Sequence, residues 1–376
     1  MSDPTHARSP RRCGGAVLVA LLCLAAPAAA AAEVRFRVEG RGFGHGVGLS
    51  QWGAYGFAER GAGPREIATY YFRGTRIGRV KPKRSVRVLL GTEQSVAFSG
   101  AKRACGTDLR PSRRYRASAN GPRVRLERSD GRRLASCGAK LVAKGVAGPI
   151  RIGGQGSYRG DLMMATKAGT GYVINQVRVD DYVRGVIANE MPSSWPRAAL
   201  GAQAIATRSY GLATDSGGRL FDQFDDTRSQ VYGGLASEAK RTNAAVDRTA
   251  RQVLEYRGEV IPAFFSSSSG GRTENVEFAF LGSEPRPYLR SVRDPHDAAA
   301  PDHRWRETFS RAAMEAKLAG LVEGRLRRIR VVRTGVSPRI VRARLVGSRG
   351  TTTVTGPDLQ VRLGLRSTWA KFRRIG

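Results

Sequence analysis

Residues 181–210 decide the fold of this 376-residue chain, and they read DYVRGVIANEMPSSWPRAALGAQAIATRSY. Apolar residues recur at helical spacing in the first half of the stretch, which predicts a helix with one buried face. Asp180 is placed to cap that helix, and Pro192 helps to end it because proline disfavours helical backbone in the residue before it. Glu190 therefore falls where this helix stops. The apolar face consists of Tyr182, Val183, Val186 and Ile187.

A second helix is predicted directly after the first, with residues 198–212 as its body. Pro196 suits its first turn, and Ser193 or Ser194 offers an N-cap. The carboxylate of Glu190 is thus expected at an exposed break between two helices.

Most of the remaining chain shows the alternation typical of strands. The hydrophobic fraction of 41% is enough to bury a core, which excludes a disordered chain. No βαβ rhythm is present, so we predict an α+β fold: mixed helices and mainly antiparallel strands, with a small β-rich inserted domain. Strands are expected over residues 34–38, 86–90, 123–126, 140–143, 172–177, 253–256, 260–265, 329–332, 340–345 and 351–354, and further helices over 51–58 and 237–252.

The chain is strongly basic, with 64 Lys and Arg, 31 Asp and Glu, and a formal net charge of +33. The excess lies in residues 81–160 and 301–376, whereas residues 161–300 are nearly neutral. A cationic exported protein is drawn to polyanions, and anionic cell-wall polymers fit that description; a merely solvated surface is the alternative. No nucleic acid partner is expected, because no recognition motif accompanies the charge.

The N-terminus has the three regions of a secretory signal peptide. Three arginines precede an apolar run over residues 16–26, and alanines at 28–32 supply a cleavage site. We expect residues 1–32 to be removed and the mature chain to be secreted and cell wall-associated, with no membrane span. A retained N-terminal anchor is the alternative.

Two cysteines, Cys105 and Cys137, remain after that cleavage. An even pair in an oxidising compartment predicts a disulfide, which stabilises a chain by ~3–4 kcal/mol for a loop of this size. Two cysteines without nearby histidines make a poor zinc site.

Two blocks of sequence carry a resemblance to a known family. The first is GFGHGVGLSQWGA over residues 42–54, and the second is the stretch around Glu190. With them the chain resembles the SpoIID/LytB family of stage II sporulation protein D and amidase enhancers, over the mature chain except about 81–160. The family implies peptidoglycan lytic transglycosylase activity, with the glutamate of the Glu-Met-Pro motif, here Glu190, as catalytic acid. Further matches are residues 226–232, 242–246, 267–271, 303–305 and 363–368.

The chemistry of such an enzyme suits a single glutamate. Glu190 would protonate the leaving glycosidic oxygen between N-acetylmuramic acid and N-acetylglucosamine. As a carboxylate it would then take the proton of the muramoyl C6 hydroxyl, which closes onto C1 and gives a 1,6-anhydro end. Apolar neighbours are expected to raise the pKa of Glu190, as a general acid requires. Asp225 and Asp226 are candidate helpers, with turn formation as the alternative.

The remaining candidate site residues are polar or aromatic side chains of the matching motifs. Gln203 and Tyr210 lie seven residues apart on one helical face, and Arg208 suits a lactyl or peptide carboxylate. Structural alternatives are open: core packing for Tyr210, and a structural hydrogen bond for His45. The substrate-binding candidates are His45, Gln51, Gln203, Arg208, Tyr210, Gln230, Tyr232, Ser267, Ser268 and Gly270.

Two departures from the family pattern carry predictions. Many relatives place histidine where Ser266 stands, and some carry a cysteine nearby that helps to bind zinc. This chain has neither residue, so we expect no metal and no cofactor. The block 363–368, which in relatives commonly runs on into the Gly-His-Gly block, closes this chain instead. We therefore predict a circular permutant in which strand 34–38 pairs with, or continues from, the tail 368–374. That arrangement would return His45 to the Glu190 cleft.

The predicted organisation has four parts: a signal peptide (1–32), a Gly-His-Gly segment of the core (33–80), a basic β-rich insertion (81–160) and a catalytic core with basic C-terminal strands (161–376). The expected partners are peptidoglycan glycan strands, anionic wall polymers and a cell-wall amidase. The competing interpretation is a non-catalytic amidase enhancer or wall-binding module, because one fold supports both roles.

Overall fold

The computed structural model describes residues 34–146 and 148–376. The predicted signal peptide, residues 1–32, lies outside the described residues. Within them, no helix combines the length and the apolar character needed to cross a membrane. Helices alternate with mainly antiparallel strands, which confirms the α+β class.

The first elements form around the glycine-rich block. The alternating sequence of the first strand turns Phe36 and Val38 into the core. Ser50 caps the following helix, because its Oγ accepts a hydrogen bond from the main-chain N–H of Gly53 over 3.2 Å. The elements are β1 (Arg35–Gly40), β2 (Leu49–Ser50), α1 (Gln51–Ala58), α2 (Pro64–Tyr71) and β3 (Arg76–Arg79).

A strand-rich unit follows, built from short strands that alternate buried and exposed residues. Because strand residues point alternately to opposite faces, this pattern gives each strand one apolar face for the core. The strands are β4 (Ser85–Thr92), β5 (Ser95–Ser99), β6 (Ala101–Ala104), β7 (Thr107–Asp108), β8 (Tyr115–Asn120), β9 (Arg123–Arg128), β10 (Arg133–Ser136), β11 (Lys140–Gly145), β12 (Ile150–Ile152), β13 (Gly156–Tyr158), β14 (Asp161–Lys167) and β15 (Thr170–Arg178).

These strands form two sheets that pack on each other. One has the order β10-β9-β8-β5-β12-β13, and the other contains β4-β15-β14-β11-β6-β7. Strands β8 and β9 contact β14 and β11 across the core. The predicted disulfide is confirmed: Cys105 follows β6 and Cys137 follows β10, so the bond joins the two sheets at a Cα–Cα distance of 5.7 Å.

The unit is longer than the predicted insertion 81–160. Strand β14 pairs with β11, and β15 pairs with both β14 and β4. The predicted boundary at residue 160 therefore falls inside one sheet, which contains strands on both sides of that residue. Sequence composition changes near residue 160, but strand pairing, which is set by distant partners, continues beyond it.

The helical core follows. Its central helix, α4, contacts α1, α2, α3 and α5. Small residues allow this close approach: a Cβ atom on Gly211 would lie 2.8 Å from the ring of Tyr182. The elements are α3 (Val179–Glu190), α4 (Arg197–Ala213), β16 (Gln223–Phe224), which joins β4, the 3₁₀ turn Gly234–Ser237, α5 (Lys240–Arg248), β17 (Gln252–Tyr256) and β18 (Glu259–Val260).

The predicted helix caps were wrong. Arg178 is the N-cap of α3, and Asp180 lies inside the first turn, where its carboxylate binds Arg208. Pro196 occupies the N-cap position of α4 without any side-chain cap. The main-chain oxygens of Ser193 and Ser194 instead accept hydrogen bonds from Arg241 of α5. The predicted capping residues therefore bind arginines that are distant in sequence, Arg208 and Arg241, rather than the helix ends.

The C-terminal part has a second apolar core around Phe36, Trp305 and Leu345. Its sheets have the orders β20-β1-β24 and β21-β22-β23, while β19 pairs in parallel with β2. The elements are β19 (Phe265–Ser266), α6 (Val276–Ala279), the 3₁₀ turn Asp297–Ala299, β20 (Trp305–Ser310), α7 (Arg311–Lys317), β21 (Arg328–Thr334), β22 (Ile340–Val346), β23 (Thr351–Thr355), α8 (Gly356–Leu363) and β24 (Ala370–Ile375).

The two ends of the described chain lie side by side. Strand β1 pairs antiparallel with β24, and Arg35 stands opposite Ile375. The predicted pairing of the N-terminal strand with the C-terminal tail is therefore confirmed. Strand β1 belongs to the C-terminal sheet, whereas the glycine-rich block after it runs into the helical core.

Candidate active site

Glu190 is the last residue of α3, at the point where the backbone turns extended at Met191. Its Oε1 accepts a hydrogen bond from the main-chain N–H of Val231 over 3.0 Å, while Oε2 has no hydrogen-bond partner among the described residues. The side chain is half-buried. Burial raises the pKa of the Glu190 carboxyl, and the Val231 N–H partly opposes that shift.

Gln51 fixes the end of the helix that carries Glu190. It is the first residue of α1, and its Nε2 donates a hydrogen bond to the main-chain oxygen of Glu190 over 2.9 Å. The last carbonyls of a helix have no partner within the helix, so an outside donor satisfies one of them. Gln51, which the sequence suggests as a substrate-binding residue, therefore contacts the backbone of Glu190.

His45 and Tyr210 both pack against Phe264. The ring centroids are 6.3 Å apart for His45 and Phe264 and 5.7 Å apart for Tyr210 and Phe264. The Nδ1 of His45 accepts a hydrogen bond from the N–H of Val47. The pKa of His45 is lowered to about 4, mainly by burial and to a smaller extent by the charge of Arg339. His45 is therefore neutral at physiological pH.

Several candidate substrate ligands are buried, which contradicts direct contact with a substrate. The guanidinium of Arg208 has no exposed surface and donates to Asp180 over 2.7 Å and to main-chain oxygens, so it holds α3 against α4. The hydroxyl of Tyr232 donates to Asn175 over 2.7 Å. Gln203 donates to Thr207, and the side chain of Gln230 is enclosed. Chain spacing does not reveal such burial.

The serine-rich loop is held from within the protein. Gly270 uses its N–H to bind Oδ2 of Asp297 over 2.6 Å, so this group does not face a substrate. Ser268 is buried, and its main-chain oxygen accepts from Phe43. Ser267 remains half-exposed, and its main-chain oxygen accepts from Trp52, which lies next to Gln51. Of the three loop candidates, Ser267 alone keeps an accessible side chain.

Two buried aspartates, absent from the sequence-based candidates, organise this loop. Asp297 accepts hydrogen bonds from Ser50 and from several loop residues, and Asp294 accepts from Tyr71 and Ser269. Burial, with the neighbouring charge of Asp297, raises the pKa of Asp294 to about 6. No local sequence signal distinguishes these aspartates from surface ones. The carboxylate of Asp226, by contrast, binds the N–H and guanidinium of Arg228, which is the turn-forming role.

A cluster of aromatic rings is built from the segments that carry Gln51 and follow Glu190. The ring of Trp195 lies 4.7 Å from that of Trp52 and 5.2 Å from that of Tyr55, centroid to centroid. Trp195 follows Glu190 on the loop into α4, while Trp52 and Tyr55 come from α1 beside Gln51. Trp195 is buried, and Trp52 and Tyr55 pack against the same apolar core, so the cluster holds α1 against the loop after Glu190. Within residues 34–146 and 148–376, no cluster of His, Cys, Asp or Glu is arranged to hold a metal ion.

Comparisons with known proteins point to one family. Its profile, SpoIID, described as "Stage II sporulation protein", matches residues 167–256, which include Glu190 and Val231. The chain is similar to stage II sporulation protein D of Bacillus subtilis, at 30% identity over 54% of this chain and 62% of that protein. It is also similar to the amidase enhancer of Bacillus subtilis, at 39% identity over 38% of this chain and 19% of that protein.

A protein of Brachyspira hyodysenteriae gives a third match, at 38% identity over 36% of this chain and 37% of its own length. The matches thus span less than two thirds of each of these relatives.

Proposed function

The chain belongs to the stage II sporulation protein D family through its domain at residues 167–256, and on that premise we propose that it is an exported peptidoglycan lytic transglycosylase. The substrate would be the glycan strand, cut between N-acetylmuramic acid and N-acetylglucosamine. The observation that carries the proposal is the state of Glu190: half-buried, with a raised pKa and with one carboxylate oxygen available.

The proposed reaction uses Glu190 twice. In its neutral form the carboxyl donates a proton to the glycosidic oxygen as the bond to muramoyl C1 breaks, and the electron pair of that bond stays on the leaving oxygen. The resulting carboxylate takes the proton of the C6 hydroxyl while the oxygen of that hydroxyl bonds to C1. A 1,6-anhydro ring forms, no water is consumed, and Glu190 ends as it began.

Three other groups support this chemistry. The Val231 N–H stabilises the carboxylate form that arises after the first proton transfer. Gln51 holds the backbone of Glu190 in place, and positioning of this kind lowers the barrier by fixing the reacting groups. The substrate's own N-acetyl group would stabilise the oxocarbenium-like centre, so a second carboxylate is not required.

A second candidate function is that of an amidase enhancer, which would bind the wall and act through a cell-wall amidase. The similarity to the amidase enhancer of Bacillus subtilis favours it, and so does the basic surface of the C-terminal strands. Anionic wall polymers are proposed partners in either case, and export to the cell wall is proposed as the location. The fold is compatible with both roles.

The deciding experiment is digestion of purified glycan strands and of intact sacculi, followed by mass spectrometry of the products. A lytic transglycosylase releases fragments with 1,6-anhydromuramoyl ends, and Glu190→Gln protein in the same digestion releases none. If the wild-type protein releases no such ends from either substrate but stimulates a purified wall amidase, the enhancer role replaces the enzymatic one. Reducing muramoyl ends would indicate hydrolysis instead.

A further inference from the structure

The outer face of the sheet β20-β1-β24 is strongly basic. Directly paired residues of antiparallel strands point to the same face, and Glu39 is paired with Arg306 on one side and Lys371 on the other. The opposite face carries Phe36 and Val38 into the C-terminal core. The basic face therefore points outward. It carries Arg35, Arg37, Arg306, Lys371 and Arg373 with the single acidic residue Glu39.

A cavity of about 740 Å³ opens at the end of this face. Trp305 and Trp369 contribute aromatic surface to it, and the indole N–H of Trp305 donates to the main-chain oxygen of Gly42 over 3.0 Å. A Cβ atom on Gly40 would lie 2.0 Å from the Trp305 ring, so a glycine is needed for the indole to rest on the strand. The volume is within the range of ordinary ligand pockets, about 300–1,000 Å³.

Three of the four cations that line the cavity are not neutralised by the protein. Arg41, Arg304 and Lys371 line it, and none of them has an ion-pair partner in the described part of the chain. The guanidinium of Arg41 lies 5.6 Å from the centroid of the Trp369 ring, which fixes its direction. Arg306, the fourth cavity cation, forms an ion pair with Glu39 over 3.1 Å.

The neighbouring acidic groups are already engaged. Asp302 and Glu307 both bind Arg366, which is not among the cavity residues. Unpaired cations held close together repel one another, and an anionic ligand relieves that repulsion. The arrangement therefore has the charge, the aromatic surface and the volume of an open site for an acidic ligand.

We propose that this cavity and the adjoining basic face bind an acidic cell-wall polymer through its repeating phosphate or carboxylate groups. Cations two residues apart on one strand stand about 7 Å apart, so successive acidic groups of an extended polymer meet successive cations. Arg41 directly precedes the glycine-rich block 42–54, which contains Gln51, the residue bound to Glu190. A polymer held here anchors the protein beside its glycan substrate. The identity of the polymer rests on the proposed wall function, whereas the site itself does not involve Glu190.

The test measures binding of poly(glycerol phosphate) and of polygalacturonate by calorimetry at low salt, with neutral dextran as the negative control. The test variant is Arg304→Gln/Lys371→Gln, which removes two exposed cavity cations. The matched control is Arg330→Gln/Arg344→Gln, which removes two exposed cations paired across β21 and β22. We expect about a tenfold rise in Kd for the cavity variant and less than about twofold for the control, because only the cavity cations contact the ligand.

Equal weakening by the two double variants would overturn the proposal, because it would show attraction to net charge alone. Equally tight binding of a single-stranded DNA oligomer of matched charge would overturn it as well. Preference for one of the two polymers identifies phosphate or carboxylate as the acidic group. Thermal melting of both variants verifies their folding. Binding by the Glu190→Gln protein separates this site from the proposed catalysis, because an inactive enzyme that still binds through the cavity supports the inference.

Discussion

The side chain of Gln51 donates a hydrogen bond to the main-chain oxygen of Glu190 over 2.9 Å, although 139 residues separate them in the chain. This contact joins the two blocks of sequence that resemble the family. It also shows what the glycine-rich block contributes to the site, since α1 carries the donor and the donor fixes the end of α3 at the proposed acid.

Loss of that donor should affect the reaction more than the fold. We expect Gln51→Met to lower kcat by roughly tenfold or more, because small misplacements of a catalytic group are costly, while the stability falls by about 0.5–1.5 kcal/mol for one lost hydrogen bond. The matched control is Gln94→Met, which removes a side-chain hydrogen bond to the oxygen of Gly169 in the strand-rich unit. Equal activity of the two variants would remove Gln51 from the positioning role.

For Glu190 we expect the Glu190→Gln variant to lose ~10²–10⁴-fold or more in glycan cleavage, because the amide cannot act as the acid. Folding and wall binding should stay nearly unchanged, since the amide is almost isosteric. The pH profile provides a second measurement.

Burial raises the pKa of Glu190, so the active neutral form persists to higher pH than for an exposed glutamate. We expect kcat/KM to decline as the pH rises through that raised pKa. A profile that is flat, or one that increases across this range, contradicts the role of Glu190 as the acid.

The buried pair Asp294 and Asp297 predicts a pH dependence of stability. The pKa of Asp294 is raised to about 6 from 3.8, so the folded state holds a proton that the unfolded state has already released. Its contribution to stability is fully present below about pH 4 and is lost as the pH rises through about 6.

The free energy of unfolding of wild-type protein, minus that of Asp294→Asn protein, should therefore fall by at most about 3 kcal/mol between pH 4 and pH 7. Denaturant unfolding at several pH values measures this difference, and the subtraction cancels groups that titrate equally in both proteins. A difference that stays constant with pH would show that Asp294 is ionised throughout.

The pairing of Arg35 with Ile375 predicts that the chain can be re-permuted. Joining Gly376 to Val34 through an Asn-Gly turn, with new ends opened between Pro82 and Lys83, places the block 363–368 directly before the glycine-rich block. We expect a folded protein that melts within a few degrees of the wild type, because adjacent surface ends tolerate such rearrangement.

As a control, the same joint with new ends inside β15, between Ile174 and Asn175, should fail to fold, because both residues are buried in a paired strand. If the protein opened between Pro82 and Lys83 also fails to fold, joining the two ends strains the structure, and the permutation hypothesis loses its support.

The sequence alone predicted features that depend on residues close together in the chain or on the number of cysteines. The strand at 34–38, the short helix at 51–58 and the break between two helices after Glu190 all follow from periodicity and proline, which act locally. The disulfide prediction needed only two cysteines and the expectation of an oxidising compartment. The pairing of the two chain ends came from the order of motifs rather than from any local signal.

Tertiary structure alone decided which polar groups face solvent and which lie inside. Arg208 and Tyr232 have residue types suited to binding sugars, yet both are buried and bind Asp180 and Asn175 instead. Asp297, which no motif marks, holds the serine-rich loop. The boundary near residue 160 likewise depended on strand partners far away in sequence. Burial and pairing are set by residues tens to hundreds of positions distant, so the spacing of residues along one stretch carries no record of them.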